Sequence, residues 1–293
     1  MITGKYLSPF AVLIVTVILV LFLPVSTVVY QLDSIWYLQK SIHIYRELEY
    51  SNVFRGPVFP ALGSFALFLT GGEIFALSYV PRLAFLLAAL SVFVLTHRLY
   101  GMSVAVACLV MFVTAPNTHL VATQFHVDIV VVAFTLAALA VHVEALARRS
   151  VALGVASGIT LAVAILTKEV AIVVIPIFAL AWLAAARPLR TGATVALASF
   201  GATVGAIAPW AFYVYLRTGD LTKLLGRNVA SSGSFGSYTE TVFDSIIIAP
   251  YQAVFYVWKF IDSYLMNFSA GTSDALALPL NALILAGAMA PFL

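Results

Sequence analysis

Long apolar segments recur along the chain, with short polar connections between them. Most are close to the roughly 20 residues that a helix needs to cross the hydrocarbon core of a bilayer. They lie at residues 7–30, 78–97, 103–122, 127–146, 151–167, 170–186, 193–216 and 276–293. This pattern predicts an all-α polytopic membrane protein with about eight transmembrane helices.

The connection between the first two apolar segments, residues 31–77, has a pattern of its own. Apolar residues recur there at helical spacing with polar residues between them, at Ile35, Leu38, Ile42 and Tyr45. Such spacing predicts an amphipathic helix that lies along the membrane surface. The stretch 57–70 is apolar but too short to span, so we expect a second helix that is interfacial or half-buried.

Composition agrees with this pattern and excludes two classes of protein. Of the 293 residues, 63% are hydrophobic and only 9% are charged, and the mean hydropathy is +1.07. A soluble domain carries roughly 25% charged residues, so a water-soluble enzyme is excluded. A disordered chain has low hydrophobicity, so disorder is excluded as well. The single cysteine, Cys108, excludes an intrachain disulfide and a Cys-rich metal site.

The distribution of Lys and Arg assigns the loops to the two sides of the membrane. If 57–70 does not span, one side holds six basic residues and one acidic residue, net +5, and the other holds nine basic and eleven acidic residues, net −2. By the positive-inside rule the first side is cytoplasmic. Its basic residues are Lys5, Arg98, Arg148, Arg149, Arg187 and Arg190. The N-terminus is therefore predicted to be cytoplasmic, and the 31–77 loop extracytoplasmic.

Two carboxylates are placed at the outer surface by this assignment. Asp33 begins the predicted surface helix, and Asp128 lies at the outer mouth of the 127–146 helix. A carboxylate beside a membrane-embedded cavity is able to take a proton from a hydroxyl, and an acid at the membrane boundary suggests function by default. Each also has an ordinary interpretation as a helix N-cap. We interpret both as candidate catalytic residues.

Four further residues reach the same surface and are predicted to bind substrate: Arg55, His126, Lys168 and Glu169. Arg55 and Lys168 are cations suited to phosphate oxygens. As alternatives, Arg55 is an anchor that snorkels to lipid headgroups, and Lys168 pairs with Glu169 beside it. His126 is interpreted as a polar site residue and not as a metal ligand, because no spacing specific for zinc is present.

Five pieces of sequence, taken in order and spacing, resemble the membrane GT-C glycosyltransferases that use a polyprenyl-phosphate sugar. The nearest branch contains the protein O-mannosyltransferases and the lipid A aminoarabinose transferases. The five pieces are Asp33 with Tyr37-Leu38, Arg55-Gly56-Pro57-Val58-Phe59-Pro60, Pro81-Arg82-Leu83 with Arg98-Leu99-Tyr100-Gly101, Asp128, and Gly158 with Leu166-Thr167-Lys168. The second piece departs from the family, whose basic segment often has Lys and two prolines.

The resemblance implies a single GT-C-like transmembrane domain over residues 1–293, C-terminally incomplete because the chain stops inside an apolar segment. It implies inverting transfer of a sugar from a polyprenyl-phosphate carrier to a protein, lipid or glycan at the extracytoplasmic face of the cell membrane. Asp33 would be the general base, Lys168 with Arg55 would stabilise the leaving phosphate, and Asp128 would position substrate or support a divalent metal. No nucleic acid partner is expected. The alternatives are a transporter or flippase of lipid-linked substrates and a non-catalytic membrane subunit.

Overall fold

The computed structural model describes residues 32–50, 55–114, 122–179 and 189–221, all of which belong to one compact unit. These residues form helices and connecting turns, with no β-strand among them. The α-helices are α1 (Leu32–Glu47), α2 (Val58–Leu69), α3 (Tyr79–Tyr100), α4 (Met102–Thr114), α5 (Val127–Arg148), α6 (Val151–Thr167) and α7 (Leu189–Thr218). Two 3₁₀ helices, Ile74–Ser78 and Glu169–Val174, lead into α3 and into the helical residues 175–179.

The predicted all-α membrane fold is confirmed over the described residues. Three helices are long and apolar enough to cross a membrane, namely Ile74–Tyr100, Val127–Arg148 and Gly192–Thr218. Shorter apolar helices lie at Val58–Leu69, Met102–Thr114, Val151–Thr167 and Glu169–Ala179. The predicted segments 7–30 and 276–293 lie outside the described residues, so the total of about eight spans stays a prediction.

A tight hairpin joins α5 to α6. Arg149 adopts a left-handed backbone, with φ of 54°, and ends α5. The next residue, Ser150, begins α6 by accepting a hydrogen bond from the main-chain N–H of Leu153 at 3.3 Å. A connection this short makes the two helices antiparallel neighbours, and the hydroxyl of Ser157 on α6 donates to the carbonyl oxygen of Ala138 on α5.

Small residues let α6 approach α7 closely. Gly154 and Gly158 are four residues apart, and a methyl group on Gly158 would overlap the main-chain oxygen of Ser199 on α7. The hydroxyl of Thr203 donates to the carbonyl oxygen of Gly158 at 3.0 Å. In lipid there is little hydrophobic drive for helix pairing, so close packing and interhelical hydrogen bonds of this kind hold membrane helices together.

The surface helix α1 packs on α2 through small residues. Ser34, Tyr37 and Ser41 are buried, whereas Ile35 of its apolar positions is 42% exposed. The two helices approach closely, because a methyl group on Gly63 of α2 would overlap the hydroxyl of Ser41. That hydroxyl donates to the carbonyl oxygen of Tyr37 within its own helix, so its burial leaves no donor unpaired.

Charged residues collect at the two ends of α5. Asp128 lies in its first turn and Arg148 in its last turn, 20 residues or about 30 Å apart, which matches the hydrocarbon thickness of a bilayer. At the Arg148 end, Glu144 forms ion pairs with both Arg98 and Arg148. The loops 98–102 and 147–150, both predicted to be cytoplasmic, therefore meet at one end of the helices, and Asp128 lies at the other.

Candidate active site

An ion pair between Asp128 and Lys168 forms the centre of the candidate site. The Nζ atom of Lys168 donates to Oδ1 of Asp128 at 2.6 Å, across 40 residues of sequence. Asp128 lies in the first turn of α5 and Lys168 caps the C-terminus of α6, so each charge sits where the helix dipole stabilises it. Their side chains are 18% and 25% exposed. The structure therefore brings these two predicted residues together at a place that a ligand can reach.

His126 caps the helix that carries Asp128. It is the N-cap of α5, and its Nδ1 atom accepts the main-chain N–H of Asp128 at 3.3 Å. The same atom lies 3.5 Å from Oδ2 of Asp128. The cap interpretation considered for Asp128 is therefore wrong, because the cap is His126, and the carboxylate is directed to Lys168 instead.

Arg55 is held against two aromatic rings of α1. Its guanidinium carbon lies 5.3 Å from the ring centre of Trp36 and 5.4 Å from that of Tyr37. One guanidinium N–H also donates to the hydroxyl oxygen of Tyr37 at 3.2 Å. Cation–π contacts of this kind fix a guanidinium without neutralising its charge. Arg55 is thus ordered by α1.

Tyr37 connects Arg55 to the other charges of the site. Burial raises the pKa of the Tyr37 phenol, and the charge of Glu169 raises it further. The hydrogen bond from Arg55 and the charges of Arg55 and Lys168 lower this pKa, but burial is the larger effect. The phenol therefore stays protonated at neutral pH. Arg55 thus contacts this hydroxyl directly, while Lys168 and Glu169 act on it through their charges.

Tyr50 and Gly56 fix the loop that carries Arg55. The Tyr50 hydroxyl donates to the main-chain oxygens of Arg55 and Gly56 at 3.0 and 3.3 Å, and burial raises the pKa of this phenol as well. The main-chain oxygen of Tyr50 accepts from the hydroxyl of Tyr213 on α7. A methyl group on Gly56 would overlap the main-chain oxygen of Leu166, two residues before Lys168. The Arg55 loop therefore lies directly against the end of α6.

Replacing Gly56 by Ala is expected to destabilise the protein and reduce its activity together. The added methyl meets backbone atoms, which cannot move as a side chain does, and overpacking typically costs about 1–3 kcal/mol. Gly201→Ala on α7 is the matched control, since nothing lies within 4 Å of the added methyl. Thermal unfolding of both variants in detergent checks this. Equal melting temperatures for Gly56→Ala and Gly201→Ala would contradict the close packing described here.

Asp33 lies in the first turn of α1, one helical turn before Tyr37. The position of its side chain lies outside the described residues, so its role as general base remains a prediction. Tyr37 and Tyr50 received no role from sequence. A role for Tyr37 could have been inferred from its spacing of four residues from Asp33, because this spacing places both residues on one face of a helix.

Potential metal ligands in the described residues form one group, His43, Glu47 and Glu49, whose ligand atoms lie within 4.8 Å of one another. The two acids are exposed, and His43 already pairs with Glu47 at 3.3 Å. Asp128 is not a member of this group, and one of its carboxylate oxygens pairs with the Lys168 ammonium. We therefore assign no reaction step to a metal.

Residues 55–215 match the family model described as dolichyl-phosphate-mannose-protein mannosyltransferase. The match covers more than half of the chain and contains five of the six predicted site residues, from Arg55 to Glu169. No curated protein matches the chain by sequence.

Solved structures of the oligosaccharyltransferase of Archaeoglobus fulgidus have a similar fold. The apo form has a TM-score of 0.62 at 19% identity and covers 96% of this chain and 39% of that chain. The complex with Zn and sulfate has a TM-score of 0.60 at 19% identity, with 89% and 40% covered. The complex with an inhibitory peptide and a dolichol-phosphate has a TM-score of 0.60 at 19% identity, with 96% and 37% covered. The chain thus spans about two fifths of the length of these structures.

Proposed function

The chain belongs to the dolichyl-phosphate-mannose-protein mannosyltransferase family, and we propose that it transfers a sugar from a polyprenyl-phosphate carrier to an acceptor at the extracytoplasmic face of the cell membrane. The observation that carries this proposal is that Lys168 pairs with Asp128, while the charges of Lys168 and Arg55 both lower the pKa of the Tyr37 hydroxyl. Two cations near one hydroxyl suit the oxygens of a phosphate. A donor whose lipid tail lies in the bilayer places its phosphate at the membrane surface, where these helices end.

The donor is argued from chemistry and from the comparison with known structures. Nucleotide sugars are cytoplasmic, so a site on the outer side needs a sugar that a lipid carries. The archaeal oligosaccharyltransferase with this fold has a structure with a dolichol-phosphate, which supports a polyprenyl phosphate as the leaving group here. The same structure holds an inhibitory peptide, and this favours a protein acceptor among the three acceptor classes, protein, lipid and glycan.

The proposed reaction assigns tasks to four of the six predicted residues. An acceptor hydroxyl or amine gives its proton to Asp33 as its oxygen or nitrogen bonds to the anomeric carbon. The bond from that carbon to the phosphate oxygen breaks, its electron pair leaves with the polyprenyl phosphate, and the configuration inverts. Lys168 and Arg55 stabilise the charge that develops on the phosphate. Asp128 orients Lys168, so that its ammonium charge acts on the phosphate.

A cysteine replacing Ser150 tests which side of the membrane each end of the helices faces. Ser150 lies at the Arg148 end of the helices, opposite Asp128, and this end is proposed to be cytoplasmic. In intact cells an impermeant thiol reagent should therefore leave Ser150→Cys unlabelled, and should label it after the cells are opened. Glu73→Cys, in the exposed turn before the 3₁₀ helix Ile74–Ser78, is the control expected to react from outside. Labelling of Ser150→Cys in intact cells would reverse the topology.

Transfer in proteoliposomes distinguishes the proposed function from its two alternatives. Labelled sugar should pass to an acceptor peptide from a polyprenyl-phosphate donor and not from the nucleotide sugar. A flippase would move the labelled lipid between leaflets without joining the sugar to the acceptor. A non-catalytic subunit would do neither, and either result would overturn the proposal.

A further inference from the structure

A cavity of about 300 Å³ lies among α5, α6, α7 and the helical residues 175–179. Its walls are almost wholly apolar and include Leu161, Phe178, Ala196 and Thr203. Two further lining residues on α7, Leu197 and Phe200, are 70% and 56% exposed. Because they lie on a helix long and apolar enough to cross the membrane, the cavity opens sideways to the lipid.

His142 of α5 lines this space, together with the hydroxyl residues Ser199 and Thr203 of α7. It is 1% exposed, and neither ring nitrogen has a hydrogen-bond partner in the described part of the chain. The main chain of Phe178 lies near the ring without hydrogen-bond geometry, and the two rings are 4.8 Å apart. A buried donor without a partner is unfavourable, so an apolar occupant with one acceptor atom would satisfy it.

The cavity lies in the half of the membrane away from the candidate active site. Along α7 it extends from Ala193 to Thr203, ten residues or about 15 Å, which is half the thickness of a hydrocarbon core. His142 is six residues, or about 9 Å, from Arg148 at the end of α5. The cavity therefore has the length of one leaflet and lies nearest to the Arg148 end.

That end of the protein is positively charged. Arg149 ends α5, seven residues after His142. Arg148 is 69% exposed, and Arg98 and Arg148 together exceed the charge of Glu144, to which both bind. Basic residues at the membrane surface attract lipids with acidic headgroups.

We propose that the cavity binds an acidic phospholipid of the leaflet at the Arg148 end. One acyl chain fills the apolar space, an ester carbonyl oxygen accepts the imidazole N–H of His142, and the phosphate lies near Arg149. This site is separate from the proposed donor site at the opposite end of the helices, so it holds whether or not the chain transfers a sugar.

Photolabelling tests the site with a phosphatidylglycerol that carries a diazirine in its acyl chain, on the purified protein in phosphatidylcholine liposomes. We expect label on the segment 193–203. Ala196→Trp fills the cavity and should abolish this label, whereas Val204→Trp, on the lipid-exposed face of the same helix, should keep it. Arg149→Gln should remove the preference for phosphatidylglycerol over a phosphatidylcholine probe.

Three results would overturn the proposal. They are equal labelling of Ala196→Trp and wild type, equal labelling of wild type by the two phospholipid probes, and loss of the label on addition of a polyprenyl phosphate. The last would identify the donor tail as the occupant. Should Ala196→Trp fail to fold, the headgroup preference and its loss in Arg149→Gln decide the question.

Discussion

Asn in place of Asp33 is expected to lower the rate of sugar transfer by about 10²–10⁴, which is the usual contribution of a general base. The amide keeps the size of the carboxylate, and Asn caps helices about as well as Asp. Neither the fold of α1 nor its packing through Tyr37 should change. The prediction is checked by single-turnover transfer from a polyprenyl-phosphate sugar, with protein quantity measured by size-exclusion chromatography.

The matched control for this variant is Ser34→Ala, which changes the neighbouring residue of α1 without touching a carboxylate. It should transfer sugar at a rate close to that of wild type. If Asp33 were only an N-cap, Asp33→Asn would also turn over at nearly the wild-type rate. That result would show that the base is another residue, while leaving the fold and the family unaffected.

Lys168→Met is expected to lower transfer by about 10²–10³, the cost of removing one donor to a developing oxyanion. Met keeps much of the length and the apolar stem of Lys, so packing at the end of α6 is largely retained. The phosphate loses its cation, and Asp128 loses the ammonium that lies 2.6 Å from it. Transfer at a range of donor concentrations separates weaker donor binding from slower chemistry.

Two variants make this result specific. Lys168→Arg restores a cation and should recover a substantial part of the lost activity. Asp128→Asn, Lys168→Met removes both partners of the ion pair, so no unpaired carboxylate remains in a partly buried position. If the double variant regained wild-type transfer, the role of Lys168 would be to neutralise Asp128 and not to bind phosphate.

The helical framework was predictable because the apolar segments are long and their polar connections are short. Segment 151–167 coincides with α6, and 127–146 falls two residues short of the end of α5. The meeting of Asp128 and Lys168 followed from topology, since charge counting placed both at the outer ends of their helices. The prediction needed no side-chain detail, because a helix of fixed length brings its ends to fixed depths.

The packing of α1 was not predictable in the same way. The apolar spacing in α1 predicted an amphipathic surface helix, but it gave no sign that Ser34 and Ser41 would be buried. Small hydroxyl residues satisfy themselves within the helix and permit close approach, which a hydropathy pattern does not register. The roles of Tyr37 and Tyr50 depend on contacts between segments, and Gly56 became informative only with Leu166 beside it.

The most direct test of the site is the equilibrium affinity of the protein for a polyprenyl phosphate without sugar. Asp33→Asn should bind like wild type, because the base acts on the acceptor. Lys168→Met should bind at least about tenfold more weakly, since a hydrogen bond to a charged group contributes about 1.5–3 kcal/mol. Asp128→Asn keeps the ammonium and removes a negative charge beside it, so it should bind equally well or more tightly. Weaker binding by Asp128→Asn together with unchanged binding by Lys168→Met would contradict the assignment of Lys168 to the phosphate.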